Sequence, residues 1–238
     1  MGNIITLTKR ELMAFFLSIM AYVIMFFFLL FSGYFFYIYL RWESDTNAIR
    51  YILDMISMTT LIITPMITMK LLSEERRLGT LEMLMTVPVT ETQIIISKFM
   101  AALVFYVFLI VPMVVAYTIL LGLWGNPEYG SIITGYGGLI LMAAVFISIG
   151  LFVSSFTDNQ IVAAIVTFVL LLGGWVIGYV GQFLPAPFSN VFEYLGFFDH
   201  FTGFRKGLID TRDLVYCVSF VIFFLFLTVR SLESRRWR

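Results

Sequence analysis

Long apolar runs alternate with short polar breaks along the chain. Six runs of about 18–22 mainly apolar residues, near 20–40, 52–72, 102–121, 132–153, 161–179 and 214–229, are each long enough for a helix to cross a hydrocarbon layer of ~30 Å. The expected fold is an all-α integral membrane protein with six transmembrane helices. It forms one domain over residues 1–238, with no nucleotide-binding domain. Ahead of the first run, Asn3–Phe16 mixes Ile4, Ile5, Leu7, Leu12, Phe15 and Phe16 with Lys9, Arg10 and Glu11. That mixture predicts an amphipathic helix lying in the membrane interface. The apolar run that follows continues to Leu40, well past a signal-peptide core, so the segment is expected to be retained.

Within the second run, Ser57, Thr60, Thr64 and Thr68 recur at spacings of three, four and four, which puts their hydroxyls on one helical face. The stripe is a candidate translocation path, with hydrogen bonding to a neighbouring helix as the plainer reading. Pro65 removes a backbone donor beside it. In the fifth run, Gly174 and Gly178 stand four apart and allow close approach of a second backbone, in a dimer or inside one subunit.

Composition agrees with the pattern. The chain is 61% hydrophobic and 13% charged, with a mean hydropathy of +0.97, far from the balance of a soluble domain. Its net charge is zero, so nothing points to a nucleic-acid partner. The distribution of charge is more telling. Lys9, Arg10, Lys70, Arg76, Arg77, Lys98, Arg230, Arg235, Arg236 and Arg238 fall on one side of a six-span layout. Arg41, Arg50, Arg205, Lys206 and Arg212 fall on the other. The positive-inside bias then predicts both termini in the cytosol.

Two polar islands are too elaborate for plain turns. Ser73–Pro88 carries Glu74, Glu75, Arg76 and Arg77, a Gly79-Thr80 break expected to open a short helix, an apolar cluster and a proline stop. Thr90-Glu91-Thr92-Gln93 after it fits a capping box for the next helix. Exposed Leu and Met between two helix starts suit a partner's groove. The second island, Gly181–Asp213, contains His200, Arg205, Lys206, Asp210, Arg212 and Asp213. It is expected to form short re-entrant outer helices, with those charges as a structural network or an outer gate.

Catalytic signatures are missing. The chain has one histidine, no H-E-x-x-H, no nucleophile elbow and no P-loop. No metal or cofactor is expected on this chain.

With these features in view, Leu72-Ser73-Glu74-Glu75-Arg76-Arg77-Leu78-Gly79-Thr80-Leu81-Glu82-Met83-Leu84-Met85-Thr86-Val87-Pro88 resembles the cytosolic coupling segment of ABC-2-type exporter permeases. Those commonly read S-E-E-(K/R)-x-x-G-T-L-E-L-L-L-T-x-P. Lys9-Arg10-Glu11, Asp158-Asn159-Gln160 and Lys206–Asp213 follow in the family's order, the last most like its gliding-motility-associated branch. The resemblance implies a permease subunit in a bacterial or archaeal cell (inner) membrane. It would pair with a second copy or a paralogue and two cytosolic ATPase subunits, among membrane lipids. ATPase coupling would fall to Glu74, Glu75, Arg76, Arg77, Gly79, Thr80, Leu81, Glu82, Leu84, Thr86, Pro88, Asp158, Asn159 and Gln160. The runner-up is a membrane anchor or regulator that recruits an ATPase without transport.

Overall fold

A computed structural model describes residues 2–42, 48–80, 89–124, 129–181, 183–185 and 188–236. Among them the chain is helical, with α1 (Gly2–Leu17), α2 (Ile19–Trp42), α3 (Ala48–Thr68), α4 (Ser73–Arg77), α5 (Glu91–Trp124), α6 (Tyr129–Ser154), α7 (Gln160–Gly181), α8 (Phe188–Leu195), α9 (Phe197–Arg205) and α10 (Thr211–Arg236). Six segments are long and apolar enough to span a membrane: α2, α3 continued through α4, α5, α6, α7 and α10. The coupling residues Leu81, Glu82, Leu84, Thr86 and Pro88 lie outside the described residues.

The helix α5 is much longer than its apolar run requires. Its 34 residues extend about 51 Å, well beyond the hydrocarbon thickness. The excess lies at its start, where the capping box forms reciprocally. Gln93 N donates to Thr90 Oγ1 and Thr90 N to Gln93 Oε1, each at 3.3 Å. The helix α1 lies along α5 and reaches its apolar run, with Phe15 stacked on Phe105 at 5.1 Å and Phe16 edge-on to Phe108 at 5.0 Å.

The centre of the bundle is α6, which packs on α3, α5, α7, α9 and α10. It is the most enclosed span, whereas α7 and α10 are the least. Glycines set the seam between α3 and α6. A Cβ on Gly135 would come within 2.2 Å of Leu53, and one on Gly150 within 2.2 Å of the Thr68 hydroxyl. The aromatic cluster at the end of α2 divides in two. Phe36 and Tyr39 turn inward and stack on Tyr117 and Tyr51, while Tyr34 and Tyr37 stay exposed.

The expected Gly79-Thr80 break stands between two helices. Gly79 closes α4, with a left-handed φ of +68° and its N–H donating to Arg76 O at 3.1 Å. Thr80 after it is helical again, while the rest of that expected helix lies outside the described residues.

Candidate functional site

At the end of the bundle that carries α1 and α4, Lys98 of α5 is 1% exposed. A lysine buried that deeply requires compensating charge. Its ammonium donates to Glu75 Oε1 at 2.7 Å and to Glu11 Oε2 at 3.1 Å. One cation thus joins α1, α4 and α5. Arg10 adds a contact to Glu11 at 2.9 Å. Burial alone disfavours the Glu11 charge, but Lys98 and then Arg10 outweigh it and hold this carboxyl below its ordinary value.

The helix α4 starts without a cap of its own, since Leu72 occupies the N-cap position and offers no side-chain bond. Ser154, at the end of α6, supplies the cap. Its Oγ accepts from Leu72 N at 3.1 Å and Ser73 N at 3.0 Å, and donates to Met69 O at 3.4 Å. Arg76 then donates to Ser155 O at 2.8 Å, a cation at the negative end of α6. The Ser155 hydroxyl meets Ser231 of α10 at 3.0 Å, which brings the last helix into the same joint.

The four charges of the island therefore divide. Glu74, Glu75 and Arg76 are half-buried, whereas Arg77, Leu78, Gly79 and Thr80 are exposed at the surface. Lys9 and Arg10 are exposed on α1, and Asp158 and Asn159 are exposed in the turn between α6 and α7, with Gln160 half-buried behind them. Asn159 also caps α7, accepting from Ile161 N at 3.0 Å and Val162 N at 3.4 Å.

The hydroxyl stripe lies inside the protomer. Ser57, Thr60, Thr64 and Thr68 are fully buried and donate to carbonyls of the preceding turn of α3. Tyr106 of α5 donates to Thr60 Oγ1 at 2.7 Å, because the Thr60 proton is already given to Ile56 O. The glycine pair of α7 packs within the subunit as well. A Cβ on Gly174 would come within 2.1 Å of Phe197, and one on Gly178 within 2.4 Å of Asp199.

At the opposite end, α8 and α9 close over the bundle. His200, 8% exposed, faces Asp213 Oδ1 at 2.7 Å through Nδ1 and Tyr194 O at 2.8 Å through Nε2. Both ring nitrogens meet acceptors, an arrangement that an imidazolium satisfies completely. The ring stacks on Tyr216 at 3.8 Å. Arg205 reaches back to Asp54 of α3. Lys206, Asp210 and Arg212 are exposed and outside these pairs, with Asp210 instead capping α10 by accepting from Arg212 N at 2.9 Å.

Sequence reasoning passed over Lys98, Ser154 and Asp54 as site residues. A lysine in the polar approach to a span looks like an ordinary interfacial cation. The only local sign at Lys98 is its place among Ile94, Ile95, Phe99 and Ala102, which are all buried.

Comparison with known families matches residues 41–230 to the one described as ABC-2 family transporter protein. Two relatives are both described as probable multidrug ABC transporter permease YbhR, one from Escherichia coli strain K12 and one from Escherichia coli O157:H7. Each is 28% identical over 160 residues, covering 65% of this chain and 42% of the relative. The chain thus spans under half the length of the curated relatives it matches. With the match running from the end of α2 into the last turns of α10, this chain is a multi-pass membrane protein that belongs to the ABC-2 family of transporter permeases.

Proposed function

We propose that this chain is the permease subunit of an ATP-driven exporter. It pairs with a second copy or a paralogue and docks two cytosolic ATPase subunits through the segment that begins at Arg77. The α4 end is then cytosolic, with both termini, in a bacterial or archaeal cell membrane. The observation that carries this reading is the Glu11–Lys98–Glu75 joint. Movement of the exposed Leu78-Gly79 turn is transmitted through α4 to Lys98, and so to α1 and the long α5. The excess of Lys and Arg at this end and the description of the two relatives as ABC permeases support the same assignment.

In this reading the hydroxyl stripe becomes a path only when α3 and α6 separate, since the glycine seam closes it in the resting protomer. The His200–Asp213 and Arg205–Asp54 pairs hold the outer helices shut. ATP and Mg stay on the ATPase.

The test is affinity purification of the solubilised chain, followed by reconstitution with whatever P-loop ATPase it retains. Recovery near equal stoichiometry, lost in Leu81→Arg, together with ATP-dependent transport in vesicles, is the expected result. An ATPase that binds but drives no transport makes the chain an anchor. Conductance without nucleotide makes it a channel. Either outcome overturns the exporter assignment.

A further inference from the structure

A cleft of about 260 Å³ opens between α1, α2 and the end of α3, beside α4. Its walls are apolar, with Phe15 from α1, Ala21 and Ile24 from α2, and Met66 from α3. Its rim is polar and carries Glu11, Ser18, Lys70 and Glu74. These charges are unequally committed. Glu11 is already held by Lys98 and Arg10. Lys70 has one long bond, to Ser18 Oγ at 3.4 Å, for an ammonium with three donors. The Glu74 carboxylate has no partner among the described residues. The cleft therefore presents one under-used cation, one free anion and an apolar floor, at the point where α1 ends and the chain turns into its first span.

We propose that this cleft holds one phospholipid with a zwitterionic, primary-ammonium headgroup. The phosphate sits on Lys70 and Ser18, the ammonium sits on Glu74, and an acyl chain lies against Phe15, Ile24 and Met66. Charge complementarity selects this occupant. A purely anionic headgroup brings a second negative charge to Glu74, and a purely cationic amphiphile brings a second positive charge to Lys70. A primary ammonium donates charge-assisted hydrogen bonds to a carboxylate, which a trimethylammonium cannot. The apolar walls require a lipid rather than a soluble phosphate ester. The site stands whether or not the chain works with an ATPase, so its failure and the failure of the exporter assignment are separate results.

The test uses the full chain in detergent, exposed to equimolar phosphatidylethanolamine, phosphatidylcholine and phosphatidylglycerol with identical acyl chains, and read by native mass spectrometry. The expected result is retention of one lipid, with the ethanolamine form favoured over the glycerol form on the order of tenfold. Glu74→Gln keeps an acceptor oxygen but removes the negative charge, and with it both the attraction for the ammonium and the repulsion of an anion, so the preference swings toward phosphatidylglycerol. Lys70→Ala lowers retention of all three lipids. Equal retention of the three by the unmodified chain overturns the proposal, and that measurement needs no variant to fold. An unchanged preference in a folded Glu74→Gln chain, or displacement of the ethanolamine lipid by a simple cationic detergent, overturns it equally.

Discussion

At the α4 end a single lysine serves two carboxylates from different helices, whereas at the α9 end two separate acid–base pairs share the work. Among the described residues Lys98 is the cation bonded to both Glu11 and Glu75, with Arg10 reaching Glu11 alone, so α1, α4 and α5 meet on one ammonium. His200–Asp213 and Arg205–Asp54 are independent contacts, one between neighbouring outer elements and one reaching across to α3. The second is a single-point contact rather than a fork, for Arg205 Nε and Asp54 Oδ1 are both buried without partners among the described residues. The first design suits a joint that must move as a unit. The second suits a cover that can loosen in stages.

The sharpest break of this comparison is Lys98→Met, which leaves Glu75 without the buried ammonium and Glu11 with Arg10 alone, and costs about 3–5 kcal/mol. Thermal melting in detergent measures it, and adding Glu11→Gln and Glu75→Gln to the same chain restores most of the loss. At the other end, Gly174→Ala drives a methyl into the Phe197 ring, itself packed against Phe146 and Phe220, and costs about 1–3 kcal/mol. The adjacent Gly173→Ala meets nothing within 4 Å and leaves melting unchanged or slightly raised.

His200→Ala strips donors from Asp213 and the Tyr194 carbonyl, at about 1–3 kcal/mol. Hydrogen exchange should quicken in α8 and α9 while α1 and α4 keep their protection. Lys98→Met should give the reverse pattern, and loss of protection at both ends in either variant would dissolve the contrast.

Acid sharpens it further. The Glu11 carboxyl is held below its ordinary value of 4.5, so its link contributes fully above that pH and is lost as pH falls through the lowered value. Proteolysis within α1 should therefore rise below about pH 4.5 in the unmodified chain. In Lys98→Met that acid-dependent step should shrink, because Arg10 is then the remaining cation on Glu11. The smallest effect belongs to the middle of the bundle. Tyr106→Phe removes one interhelical hydroxyl bond worth about 0.6 kcal/mol, because Thr60 keeps its own bond to Ile56 O.

What could be read in advance was local. The six spans follow from the length of apolar runs, and the start of α5 from Thr90 and Gln93 three residues apart. Gly79-Thr80 was legible as a break with a helix after it, and the left-handed φ of Gly79 adds that the same glycine also stops α4. The glycine pair of α7 announced close packing without naming the partner, which proved to be α9 of the same chain. Asp54 sat unnoticed at the start of α3 because its cation lies 151 residues away.

The sequence by itself determined that this is a helical membrane protein with six apolar spans and where α5 begins, since hydropathy and capping act over a few turns of chain. Only the tertiary structure decided which charges meet. Lys98 finds carboxylates 23 and 87 residues distant, and α4 takes its cap from a serine about 82 residues on. Buried polar groups must be satisfied by whatever the packing brings within about 3 Å, and no periodicity along the chain encodes that distance.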